Sequence, residues 1–348
     1  MARVTEVTDW SALTDRMLAE VEKCEAVYRP TSFWRPGLPR ILQDIEELGL
    51  EQFKSWPTGR FWFYPRYGTG LEAEQVDEVV GFVQERGLDV PELRLRRALA
   101  GTFEAQRDFD AVRMSWNRRR WPFRVDRFGE SRIGMPPQRF PLGTRSKRFT
   151  KPYLNYLLCL AALSKHVDGP PRSFLEIGGG FGVLGEIVMR RDPEARYVDL
   201  DIPPLATVAS YYLRELFADR VTVYDDSYAG RLTADRSAVL PNWRIDDVDG
   251  PFDVFLNSFS FQEMEPDVVA HYADKVVAKD VEFVVSLNSR HGKDTADEHE
   301  IGVQEQVTSA RVVALFEERG YRLCGAYGDP LVRSAAELVV LRKRRRRR

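Results

Sequence analysis

SFLEIGGGFGVLGEIVMRR (173–191), followed shortly by RYVDLDIPPLATVASYYLREL (196–216), is the stretch that decides the fold. SFLEIG (173–178) is a short apolar run that stops at glycine, which predicts a buried strand. Glycines occupy 178, 179, 180 and 182, and the spacing of apolar residues over 184–190 predicts a helix directly behind them. RYVDLDI (196–202) predicts a second strand and 206–217 a second helix. Strand, glycine loop, helix, strand is the opening unit of an open parallel sheet, in which ligands sit beyond the carboxyl ends of the strands. Glycine in that turn lets the backbone approach a ligand and take positive φ.

Working outward, VTVY (221–224), FDVFLNSF (252–259) and VEFVVSLN (281–288) predict a third, fourth and fifth strand, with helices over 153–166, 266–277 and 309–319. YRLCGAY (321–327) and ELVVLRK (337–343) follow with no helix between them, so they must pair antiparallel. The expected fold class is α/β: a doubly wound, mostly parallel, seven-stranded Rossmann-like sheet with an antiparallel last strand. The first half reads as mainly helical. Leu13, Met17, Val21, Cys24 and Val27 fall at helical spacing behind Thr8, and further helices are expected over 39–48, 72–85 and 91–106.

Between those helices lie three clusters rich in aromatic residues and Arg: TSFWRPGLPR (31–40), SWPTGRFWFYPRYG (55–68) and SWNRRRWPF (115–123). Such residues either pack the loops onto the sheet or line a site for a polar, ring-shaped or anionic ligand. The Pro-, Gly- and Arg-rich stretch 130–149 reads as a connection. The expected division is a helical substrate or cap region over 1–149, a cofactor-binding sheet over 150–343, and a basic tail over 344–348.

A chain of 348 residues with 43% hydrophobic and 30% charged residues is an ordinary globular protein with no need of disulfide or metal staples. Its net charge is −2, but the seven residues 342–348 are all basic, so the remainder carries −9. An acidic body excludes a nucleic-acid footprint. Cys24, Cys159 and Cys324 are scattered without metal-ligand spacing. No signal peptide and no apolar run near 20 residues is visible, so no membrane partner is expected and a cytoplasmic protein is. Homo-oligomerisation stays open.

The glycine loop has two readings. Gly180-x-Gly182-x-x-Gly185, with Asp201 about 20 residues on, matches a dinucleotide fingerprint, as in an NAD(P)-dependent oxidoreductase. Glu176-x-Gly178-x-Gly180-x-Gly182 matches the loop of enzymes that use S-adenosyl-L-methionine (SAM). Charge favours the second. A carboxylate at Glu176 would repel a pyrophosphate, whereas SAM brings an ammonium and a sulfonium.

With FLEIGGGFGVLGE (174–186), YVDLDIPPLATVASYYL (197–213), FDVFLNSFSFQEM (252–264) and ESRIGMP (130–136), the chain resembles the class I SAM-dependent methyltransferases. More narrowly, it resembles a bacterial family of sugar O-methyltransferases. The resemblance implies that Glu176, Gly178, Gly179 and Gly180 line the methionine end of SAM and that Asp201 holds the ribose, with Asp199 its rival. It places Ile202 against the adenine and Asp225 or Asp226 near the adenine amino group. Asn257, Ser258 and Phe259 would face the methyl region. The partner it implies is a small-molecule acceptor, a sugar or glycosylated natural product methylated on a hydroxyl. N-methylation of an amino sugar or another amine is the alternative.

A hydroxyl must lose its proton as the new bond forms. His291, in NSRHGK (288–293), and Glu263, in SFQEM (260–264), are the candidate bases. Gln262, Asn288 and Arg290 are candidate substrate-binding residues. No metal is expected: His291, Asp294, Asp297, His299 and Glu300 form a local, mostly acidic run that reads as a solvated loop.

Overall fold

The computed structural model describes residues 8–344 apart from 117–120, 128, 144–146, 226, 227, 229, 234, 297–300 and 334. Asp226, Asp297, His299, Glu300 and the tail beyond 344 therefore lie outside the described residues. Strands β1 (Ser173–Ile177), β2 (Arg196–Asp201), β3 (Val221–Thr222), β4 (Ser237–Pro241), β5 (Val254–Ser258), β6 (Phe283–Ser289), β7 (Tyr321–Tyr327) and β8 (Ala336–Lys343) form one sheet. Its order is β3-β4-β2-β1-β5-β6-β8-β7. All pairings from β3 to β6 are parallel, and β8 runs antiparallel between β6 and β7. The reversed last strand and the doubly wound sheet are as the sequence predicts. All six residues of β2 are buried, as are four of five in β1, the pattern of a parallel strand covered on both faces.

The sheet has eight strands, not seven. SAVLP (237–241) is an additional strand, and it, not VTVY, lies beside β2. VTVY contributes only Val221 and Thr222 at the outer edge. The loop beside the carboxyl end of β2 is therefore the one after Pro241, not the one at Asp225.

The helices largely follow their predicted spans. Asp9 rather than Thr8 caps the first, Trp10–Val21. The helix expected over 91–106 is two, Glu92–Leu99 and Thr102–Ser115, broken where Gly101 adopts φ 78°. A Cβ on Gly101 would stand 2.3 Å from the Gly68 nitrogen, so the break exists to let the 67–70 turn press against it.

One continuous core runs through both halves, from Leu13 and Phe53 to Phe181 and Leu341. Helix Lys151–Leu163 is its pivot. Thr150 caps it, and Lys151 and Asn155 alone among its residues are only half-buried. The stretch expected as a mere connection is part of this core: Phe140, Leu142 and Phe149 are buried, and Glu130 is 2% exposed. Glu130 receives a hydrogen bond from Lys54 (2.6 Å) and one from Thr150. Among the described residues, no helix is long and apolar enough to cross a membrane.

Candidate active site

Register assembles an acidic cluster under the glycine loop. Glu176 on β1 lies directly beside Asp199 on β2, and Asp201 is two residues on, facing the same way. The loop backbone closes over them. Gly179 N–H donates to Asp199 Oδ1 (3.1 Å), Gly180 N–H to Asp201 Oδ2 (2.8 Å), and Ile202 N–H to Asp201 Oδ1 (2.7 Å). Only glycine permits this. Gly178, Gly180 and Gly182 have φ of 73°, 65° and 83°. A Cβ on Gly179 would lie 2.6 Å from both Asp199 carboxylate oxygens. Burial first, and the neighbouring acids second, push Asp199 and Asp201 well above the ordinary carboxylate range. Burial pushes Glu176 up to about 7.

A cavity of about 620 Å³ opens beyond these strand ends. Gly178, Gly179, Gly180, Asp201, Ile202, Ser258 and Phe259 stand on its wall, together with Gln262 and Glu263. Asp199 is not on it; its carboxylate lies beneath Gly179.

Several expected residues serve the scaffold instead. Both Glu176 oxygens accept hydroxyl hydrogen bonds, from Tyr156 and Tyr197 at 2.6 Å each, so the acid is locked under the loop rather than lining the methionine end. Asn257 donates to the Ile177 carbonyl (3.2 Å) and accepts from Asn288 Nδ2 (2.7 Å). Asn288 Oδ1 in turn accepts from Gln262 N–H (3.3 Å). This buried amide pair stitches β1, β5, β6 and the turn after β5, and neither residue reaches the cavity wall. Asp225 pairs with Arg214 at 3.4 Å, away from the wall, because β3 is the outer strand. Arg290 turns toward Glu337 (3.6 Å). His291 is exposed and off the wall, which removes the first candidate base.

Glu263 stays. It is 9% exposed, faces the cavity, and lies 3.3 Å from Lys293 Nζ. Burial pushes it up to about 7, against the opposing pull of Lys293 and of a hydrogen bond from Trp34.

Other wall residues carry weaker sequence signals. Asn242 follows β4, and β4 pairs Asp201 with Pro241, so Asn242 emerges beside Ile202. Its Nδ2 donates to the Tyr28 carbonyl and the Tyr272 hydroxyl, both at 2.8 Å, while its buried Oδ1 has no partner. The aromatic clusters divide between both of their possible roles. Phe33, Trp56 and Tyr64 are core, whereas Trp34, Trp62, Phe63 and Tyr67 line the cavity.

No family model matches the chain, and no curated protein matches it significantly in sequence. Among solved structures, it is similar to the mitomycin 7-O-methyltransferase MmcR at 18% identity and a TM-score of 0.38, over 56% of this chain and 58% of that one. It is similar to the pyocyanin biosynthetic protein PhzM at 16% identity and a TM-score of 0.40, over 94% of this chain and 98% of that one. It is also similar to magnesium protoporphyrin IX methyltransferase from Synechocystis PCC 6803, solved with bound S-adenosylhomocysteine (SAH), at 9% identity and a TM-score of 0.39, over 55% and 82%. The match thus spans less than two thirds of the first of these, and function rests on the site itself.

Proposed function

We propose that this cavity binds SAM and that the protein is a methyltransferase acting on a hydroxyl of a small molecule, the sugar or glycoside that the sequence resemblance implies. The observation that carries the reading is the pairing of Asp201 with Asn242 at adjacent strand ends. Asp201 is an acceptor fixed by two backbone N–H groups. Asn242 Oδ1 is a buried acceptor with nothing to accept from, a costly arrangement unless a ligand supplies the donor. An adenosine brings both donors, a ribose diol and an exocyclic amine. The glycine loop leaves room for the rest of the molecule, and a ligand with positive charge would offset the burial and mutual repulsion that raise the acidic cluster beneath it, whereas a pyrophosphate would add to them. That charge argument favours SAM over a dinucleotide.

Bound there, SAM supplies an electrophilic methyl group on a sulfonium. Glu263 takes the proton of the acceptor hydroxyl, and a carboxylate raised to about 7 is matched to that task near neutrality. Such a base is needed more by an alcohol than by an amine, which supports O- over N-methylation. Lys293 keeps Glu263 ionised enough to act. The aromatic wall excludes water and, with Gln262, orients the acceptor for in-line attack.

Calorimetric titration with SAM, SAH and NADPH tests the reading. Micromolar binding of the first two and none of the third is expected. Binding of the dinucleotide alone would overturn it.

A further inference from the structure

The cavity wall carries two cations, Arg66 and Lys151, that have no ion-pair partner among the described residues. Arg66 lies on the wall, half-buried, and its buried Nε has no hydrogen-bond partner. Among the described residues its guanidinium forms no hydrogen bond and no ion pair. Lys151 lies on the same wall. Its Nζ sits 5.7 Å from the Tyr67 ring centroid and likewise donates no hydrogen bond.

Two acids, Glu104 and Asp108, stand on the same wall, and Asp108 feels the Lys151 charge, but among the described residues neither forms an ion pair. Glu104 accepts from Gly68 N–H (3.0 Å), and Asp108 accepts from the Tyr67 hydroxyl (2.7 Å). Glu72, whose charge Arg66 feels, caps the helix Ala73–Glu85. The turn between the two cations is rigid. Gln138 accepts from Tyr67 N–H (2.7 Å) and donates to the Tyr67 carbonyl (3.0 Å), and Gly68 is pressed onto the break at Gly101.

The helix gives a second, independent sign. Lys151 and Asn155 are one turn apart on the only half-buried stripe of an otherwise buried helix, and both face the cavity. A buried guanidinium N–H left without an acceptor is unfavourable unless a ligand completes it, and the half-buried Lys151 on the same wall can join Arg66 in holding that ligand.

We propose that the methyl acceptor carries an anionic group, a carboxylate or a phosphate, held by Arg66 and Lys151 in the cavity that Glu263 also lines. The proposal rests on the reading of this cavity as a SAM-dependent site. It makes Arg66 a specificity-determining residue. A planar fork beside a point charge is suited to either oxyanion.

The test measures SAH affinity first and then titrates SAH-saturated protein with three probes: 4-hydroxybenzoate, uridine diphosphate glucose and methyl β-glucoside. At least one anionic probe should bind where the neutral glucoside does not, and which one binds separates carboxylate from phosphate. Arg66→Gln and Lys151→Met should each weaken that probe by about tenfold or more while SAH affinity stays unchanged. Equal binding of the neutral probe, no binding of either anion, or an unaltered affinity in Arg66→Gln would overturn the proposal. Failure of SAH itself to bind would count against the cofactor reading instead. The same three-probe comparison on unloaded protein would then still decide the anion site.

Discussion

Lys54→Met removes one charge from the most deeply buried ion pair among the described residues and should cost about 3–5 kcal/mol. The magnitude follows from the geometry. Lys54 and Glu130 are both fully buried at the side chain, 2.6 Å apart, and the ammonium also reaches the Tyr212 hydroxyl at 3.2 Å. Phe181 and Tyr212 flank it, with ring centroids 4.8 and 4.2 Å away. Methionine keeps the length and the ring contacts but strands the Glu130 carboxylate with only the Thr150 hydroxyl as side-chain donor. Most of the loss is that stranded charge rather than lost packing, so the double variant Lys54→Met/Glu130→Gln should recover a large part of it. Urea denaturation followed by tryptophan fluorescence and by far-ultraviolet dichroism measures both. The pair joins helical region, connection and sheet, so the two signals should shift together. A single-variant cost below about 1 kcal/mol, or a double variant no better than the single, would refute the reasoning.

Three further outcomes are expected. Glu263→Gln should lower kcat by roughly 10²–10⁴-fold, and the wild-type rate should fall on acidification through pH 7, to about a tenth of its plateau near pH 6, because the carboxylate must be ionised to act; His291→Ala assayed alongside should leave both unchanged. Asp201→Ala should weaken SAH by about 1.5–3 kcal/mol, roughly 10- to 150-fold by calorimetry, since it removes the fixed acceptor on the wall. Gly179→Ala should destabilise the fold by about 1–3 kcal/mol in a thermal melt and weaken SAH binding, because the new methyl meets the Asp199 carboxylate.

Periodicity made the sheet legible, because buried parallel strands announce themselves as apolar runs ended by glycine or acid. SAVLP escaped because its apolar run is short, ends in proline, and follows a polar stretch in which no helix lies among the described residues. That single omission put the expected adenine contact at Asp225 or Asp226 rather than at Asn242, for which the contact is proposed here. The glycine loop and Asp201 were readable from spacing, since backbone geometry there admits few residue types. Side-chain direction was not. Glu176, Asn257 and Asn288 sit near strand ends where a ligand contact is expected, yet partners from neighbouring strands and from helix Lys151–Leu163 claim their polar atoms. His291 looked catalytic by chemistry and position, but its loop carries it outside the cavity. Glu263 and Gln262 come from a short 3₁₀ turn that points straight back toward β6.

The most direct test of the central claim is a crystal structure of the protein with SAH. The ribose hydroxyls should lie on Asp201, the adenine amino group on Asn242 Oδ1, and the sulfur beside Ser258 and Phe259 on the side that faces Glu263. SAH bound away from Asp201, or with its sulfur turned from Glu263, would contradict it.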